Sequence, residues 1–183
     1  MMNTILESDR RFGVLMWDPV ERQPAKVGCC AEIVQYHRLP DDRMKMLTLG
    51  QQRFRVLEYV REKPYLVGLV EWIEDSTPQE DLRPLASDVE QLLRDVVRLS
   101  AKLMDRDLEL PEDIPDLPTE LSYWVASNLY GVPKEQQDLL EMLDTLSRLQ
   151  REAEILTSTR NHLAARTVLK DALDETDFEK PGF

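Results

Sequence analysis

This chain of 183 residues is short of several things, and each shortage removes a class of function. It has two cysteines, and they are neighbours, Cys29 and Cys30. Adjacent cysteines make no disulfide framework, and a bridge between neighbours in an extended strand would be badly strained. The pair reads as a reduced, intracellular protein, with one thiol toward the core and the other outward. There are two histidines, His37 and His162, far apart and without Cys or Asp clusters, which is weak material for a metal site. None of the six glycines precedes a lysine, so no phosphate-cradling GxxxxGK[ST] loop exists. The GxGxxG, HExxH, CxxC and GxSxG patterns are also absent. No apolar run approaches the ~18 residues of a membrane span. The start, MMNTILESDRR, has too few apolar residues for a signal-peptide core. The expectation is a chain with no catalytic residues, no cofactor, no metal and no membrane association.

Positive charge is short too. The formal charge is -12, unevenly spread: residues 1–79 net -1 and the remainder -11. Nucleic-acid binding usually needs a basic footprint, so the balance argues against RNA or DNA. The acidity reads as a solvated helical surface. Carboxylate pairs such as Asp41-Asp42 and Glu74-Asp75 come with any acidic chain and are weak evidence for acid–base chemistry.

What is present has two grammars. Met1, Met2, Ile5 and Leu6 share a face of a helix tail. Five β segments then follow within about sixty residues, over 12–17, 27–36, 44–49, 53–60 and 65–73, joined by turns such as Asp18-Pro19 and Pro40-Asp41-Asp42. That density predicts a small barrel or sandwich. Gly50 interrupts the pattern LTLGQQRFRVLEYV, which predicts a bulge or bend between two strands. After it, Phe54, Val56 and Leu57 are expected on the apolar side, with Arg53 and Arg55 on a wet outer face beside glutamates. Trp17, Tyr59, Tyr65 and Trp72 fall in strands or at their ends. Packing is their default role, and a polypeptide-contacting patch is the functional alternative.

From Asp75 the pattern turns helical after a Ser76-Thr77-Pro78 linker. Leu85, Val89, Leu92, Val96, Leu99 and Leu103 form one stripe. Its start is either a Ser87–Glu90 capping box or a first turn at Pro84. A proline-rich connection spans 110–118. A short helix holds Leu121, Trp124, Val125 and Leu129 and ends near Gly131. A further helix opens at Pro133, with Leu139, Leu143, Leu146, Ala153 and Leu156 buried. Residues 162–173 are helical again, and 174–183 read as a flexible tail. The element order is α+β: a β-rich part over 1–75, then a helical part over 76–173.

In this order the segments resemble the N-terminal substrate-binding domain of the Lon protease family. RRFGVLMWDP is similar to the family's first internal strand. VGCCAEIVQYHRLPDDRMKMLTLGQQRFRVLEY is similar to its Gly-Thr-x-Ala-x-Ile strand, Leu-Pro-Asp-Gly turn and Gly-x-x-Arg-Phe strand. LSYWVASNL and EQQDLLEMLDTLSRLQREAEIL resemble its helical continuation. Cys29 stands for the family's Thr, and Asp42 for its turn Gly. The resemblance implies a PUA-like β barrel followed by a helical bundle, and recognition of polypeptide segments or of a partner protein. It is especially like stand-alone Lon-domain proteins of cyanobacteria and plastids, with no ATPase or Ser-Lys peptidase, and so an adaptor rather than an enzyme. Family members begin further upstream; roughly 30 residues are expected to be missing, leaving a barrel incomplete at its first strands and with exposed edges. The alternatives are an RNA-binding PUA-like module and a scaffold subunit that docks through its terminal helix. Client and oligomeric state are not legible.

Overall fold

The computed structural model describes residues 1–111, 113–129 and 131–177. The chain forms two compact units, Met1–Asp75 and Ser76 onward. Each carries one kind of regular structure beyond a first short helix, as an α+β chain does.

The first unit begins with α1 (Met2–Leu6). A four-stranded antiparallel sheet follows, ordered β1 (Arg11–Val14), β4 (Val27–Arg38), β5 (Met44–Arg61), β6 (Val67–Ile73). A two-stranded ribbon pairs β2 (Trp17–Asp18) with β3 (Gln23–Pro24). Gly50 does not divide two strands: β5 runs through it for 18 residues. The expected irregularity lies beside it instead. Arg53 pairs with Cys29 and Gly50 with Ala31, so Gln51 and Gln52 share the place opposite Cys30. Leu57 and Val60 are further unmatched residues of β5 against β6. Each bulge adds length to one strand, bends it and increases its twist. Three on β5 make that strand longer than its neighbours and curl the sheet around it. The barrel expected from the sequence is here open, because β1 and β6 are edges among the described residues.

Two sequence expectations change with this register. Leu57, as a bulge residue, is exposed instead of rebuilding the apolar side. Arg53 is buried at 5% exposure and pairs with Asp75, just past the end of β6. Ile73 lies opposite it and is also buried, so this face of the sheet is not wet. Arg55 does keep the expected glutamate, Glu71, at 3.5 Å. In the β4–β5 turn Asp42 takes φ 62°, the left-handed conformation that Asp tolerates.

The second unit packs α2 (Arg83–Met104), α3 (Pro118–Ser127), α4 (Pro133–Glu141) and α5 (Thr145–Asp177). Prolines sit in the first turns of α2, α3 and α4, where a missing N–H does no harm. Ser87 and Glu90 are therefore interior to α2, and Glu90 pairs with Arg94 one turn on. The core gathers Ala86, Val89 and Leu93 of α2, Leu121 and Val125 of α3, Leu139 of α4, and Leu149 and Leu156 of α5. Trp124 packs against it in part. The helix expected from Pro133 onward is broken after Glu141. Met142 turns extended and Leu143 is 46% exposed. Asp144 then starts α5, its Oδ1 accepting the Ser147 N–H at 2.7 Å. Past that break, residues 157–159 stay within α5, and Thr159 donates to the Ile155 carbonyl at 2.9 Å. The helix runs on to Asp177, through the first part of the expected tail; residues 178–183 lie outside the described residues.

Candidate functional site

The curled sheet of the first unit holds an open groove of about 580 Å³. Its walls come from both edge strands. β6 contributes Gly68, Val70 and Trp72, preceded by Leu66, because every second residue of a strand shares a face. β1 contributes Arg11, Phe12 and Gly13, with Leu15 and Trp17 beyond it. Cys30 of β4 and Phe54 and Val56 of β5 lie between these walls.

Two glycines set how closely this floor packs. A methyl at Gly28 would stand 2.3 Å from the Val14 carbonyl oxygen. One at Gly13 would stand 2.7 Å from the Phe54 ring. The absent side chains let β1 approach β4 and let the Phe54 ring fill the space, where it is 4% exposed. Trp72 meets that ring edge-on, with centroids 6.4 Å apart. This geometry suits the positive edge of one ring against the negative face of another. Trp72 and Trp17 nevertheless stay 53% and 59% exposed. Exposed aromatics around a packed apolar floor are the usual composition of a recognition surface.

The polar groups are at the Asp9–Arg11 end. Arg11 donates from Nε (3.1 Å) and Nη2 (2.9 Å) to Glu32 Oε2, which raises the guanidinium pKa further. Asp9 accepts the Arg11 backbone N–H at 3.2 Å. Burial pushes the Cys30 thiol above its ordinary value, opposite to what an activated nucleophile needs. Cys29 donates weakly to the carbonyls of Cys30 and Gln51. Among the described residues no group of three His, Cys, Asp or Glu is placed to hold a metal ion.

Of the four aromatics singled out in the sequence, the groove gathers Trp17 and Trp72. Tyr65 lies elsewhere, under the Arg61 guanidinium at 4.8 Å from its ring centroid. Tyr59 sits opposite Gly68 in the β5–β6 ladder and does not line the groove, and burial raises its hydroxyl pKa. Sequence reasoning missed Phe12, Leu15, Leu66 and Val70. The even-numbered alternation from Leu66 to Trp72 was available as a signal. Leu15 falls within the 12–17 segment read as β, but it lies between β1 and β2.

A family model described as the ATP-dependent protease La (LON) substrate-binding domain matches residues 1–158. Lon protease 2 of Myxococcus xanthus is 30% identical over 158 residues, covering 85% of this chain and 19% of that protein. The Lon protease of Anaeromyxobacter dehalogenans matches with the same identity and coverage. The chain thus spans about a fifth of these relatives' length. Two solved structures share the fold. The N-terminal domain of Mycobacterium avium complex Lon protease has a TM-score of 0.61 at 16% identity, covering 87% of this chain and 82% of that one. A Lon N-terminal domain protein from Xanthomonas campestris has a TM-score of 0.55 at 23% identity, covering 81% and 78%.

Proposed function

The chain belongs to the family of Lon-type substrate-binding domains, and from that premise we propose that it is a non-enzymatic module that holds extended, apolar polypeptide segments. The observation that carries this reading is the groove with Trp17 and Trp72 exposed over a packed Phe54 floor. An extended peptide entering it would find an unpaired strand edge on either side. Main-chain hydrogen bonds to an edge supply affinity, and alternate side chains reaching the tryptophans supply selectivity. β6, reading VGLVEWI, has no proline or lysine to guard its edge. Such a module hands segments on instead of cutting them, which is the work of an adaptor in a soluble compartment, cytoplasm or stroma.

The test is titration of the chain with a denatured, cysteine-alkylated model protein, read by tryptophan fluorescence and by anisotropy of the labelled client. Saturable binding is expected. The double variant Trp17→Ala/Trp72→Ala should lose roughly tenfold or more in affinity, as aromatic anchors do, with its melting curve little changed. Equal binding by the variant would remove the groove from the reading. Release of peptide fragments by the purified chain would overturn the non-enzymatic part.

A further inference from the structure

The groove has two strand edges, and the hydrogen-bond phase of the sheet decides which of them can take up a chain. In an antiparallel strand the N–H and C=O of one residue point to the same side, and successive residues alternate. The Val56 N–H donates at 2.8 Å to the Lys26 carbonyl, directly opposite it in the β4–β5 register. Phe54 and Val56 therefore turn their main chain toward β4, and Arg53 and Arg55 turn theirs toward β6. The partners of those two are Ile73 and Glu71. Gly68, Val70 and Trp72 are left with N–H and C=O directed away from β5, and among the described residues no strand lies beyond them. The bulges leave this alternation intact, because their extra residues, Leu57 and Val60, are on β5. The same three residues line the groove, and Gly68 and Trp72 are exposed. The free main chain of β6 and its groove-facing side chains thus belong to the same positions.

β1 offers much less. The Ile33 N–H donates to the Arg10 carbonyl at 2.8 Å, so Phe12 and Val14 point to β4, and only Arg11 and Gly13 point outward. The Arg11 N–H is already taken by Asp9 at 3.2 Å. Arg10 before it has φ 60°, so the extended edge ends there. β1 is four residues long against seven for β6.

Resting on the groove reading above, we propose that the client adds to β6 as a fifth, antiparallel strand along Gly68 to Trp72, with apolar residues at every second position. An antiparallel ladder is the more stable kind per residue. In it, each client residue opposite Gly68, Val70 or Trp72 exchanges both main-chain bonds and turns its side chain to the same, groove-facing side. The apolar residues are therefore the ones whose N–H is required, and proline is refused there. The residues between them point their N–H to solvent. The missing side chain at Gly68 leaves room over Val56 and Tyr59, which lie 3.5 and 3.7 Å from where a Cβ would stand.

The probe is a fluorescein-labelled peptide, Lys-Val-Thr-Phe-Thr-Val-Lys, titrated with the full chain and read by anisotropy. Saturable binding is expected. N-methylation at Phe should weaken it roughly tenfold or more by removing a bonded donor, and N-methylation at either Thr should change it little. On the protein side, Val70→Pro removes one outward N–H and no bond of the β5–β6 ladder. It should weaken binding to a similar degree, whereas Val70→Thr, which keeps the N–H, should not. The peptide series needs no altered protein, so it stands even where Val70→Pro lowers the melting temperature. Equal binding by all the peptides overturns strand addition and leaves the groove reading in place. So does failure of the parent peptide to bind a chain that binds the denatured model protein. Loss on methylation at Thr instead of Phe overturns the antiparallel direction, since a parallel strand bonds through the alternate residues. Where the denatured protein itself does not bind, the groove reading fails and strand addition fails with it.

Discussion

Glu152 is completely buried in the helical unit, and among the described residues neither carboxylate oxygen has a hydrogen-bond partner. Burial raises its pKa from 4.5 to about 9, against the opposing pull of Arg148 one turn earlier. Arg148 is itself wholly buried. Its guanidinium donates to Ser122 Oγ (2.8 Å), the Met142 carbonyl (3.4 Å) and Thr145 Oγ1 (3.4 Å), and it stacks on the Tyr123 ring at 3.9 Å. At neutral pH the native state therefore keeps a proton on Glu152 that the unfolded chain releases. The stability associated with that proton is complete below pH 4.5 and is lost as pH rises toward 9. The slope in that window approaches ~1.4 kcal/mol per pH unit. Glu152→Gln keeps the shape and removes the titration. Urea unfolding of both chains from pH 5 to 8 should show the variant gaining on the parent as pH rises, by on the order of 3 kcal/mol across that range. A constant difference would mean that Glu152 is ionised in the folded chain.

At the scale of elements, the break between α4 and α5 decides how the last helices pack. Thr145 to Asp177 is 33 residues of helix whose first turn is held by the Asp144 carboxylate. An acceptor at this position satisfies an otherwise orphaned N–H and opposes the helix dipole favourably. Asp144→Ala should cost about 1 kcal/mol of stability in thermal or urea unfolding, with no change in the groove. The same aspartate explains why apolar spacing through Leu139, Leu143 and Leu146 failed to predict the break. Periodicity continues across a cap when both helices bury the same side. In the sheet, the bulges of β5 play the corresponding part. They lengthen one strand relative to its partners, and the curl that follows makes a groove from residues that a flat sheet would spread apart.

On the scale of the whole molecule, charge is the dominant feature. Nearly all of the excess acidity lies beyond residue 79, leaving the β-rich unit close to neutral. A near-neutral unit lacks the basic footprint that phosphate backbones usually need. Filter binding of structured and single-stranded RNA at low salt should accordingly show no tight, salt-sensitive retention. Strong retention would favour the RNA-binding alternative. Among the described residues no helix is long and apolar enough to cross a membrane.

Local pattern determined much of this protein. Strand alternation, helical stripes, prolines at helix starts and a linker at Ser76 are all written in neighbouring residues, because the two-residue and 3.6-residue periods depend on backbone geometry alone. From them come the α+β order, the helical core positions and the aromatic candidates. Tertiary structure alone decided that Trp17 and Trp72 share a groove while Tyr59 and Tyr65 do not, that Arg53 is buried against Asp75, and that Glu152 is enclosed. Each of these depends on which distant residues are brought opposite one another. That is set by bulges, register and caps that shift pairing by single residues, and a one-residue shift moves a side chain to the other face without altering the local pattern.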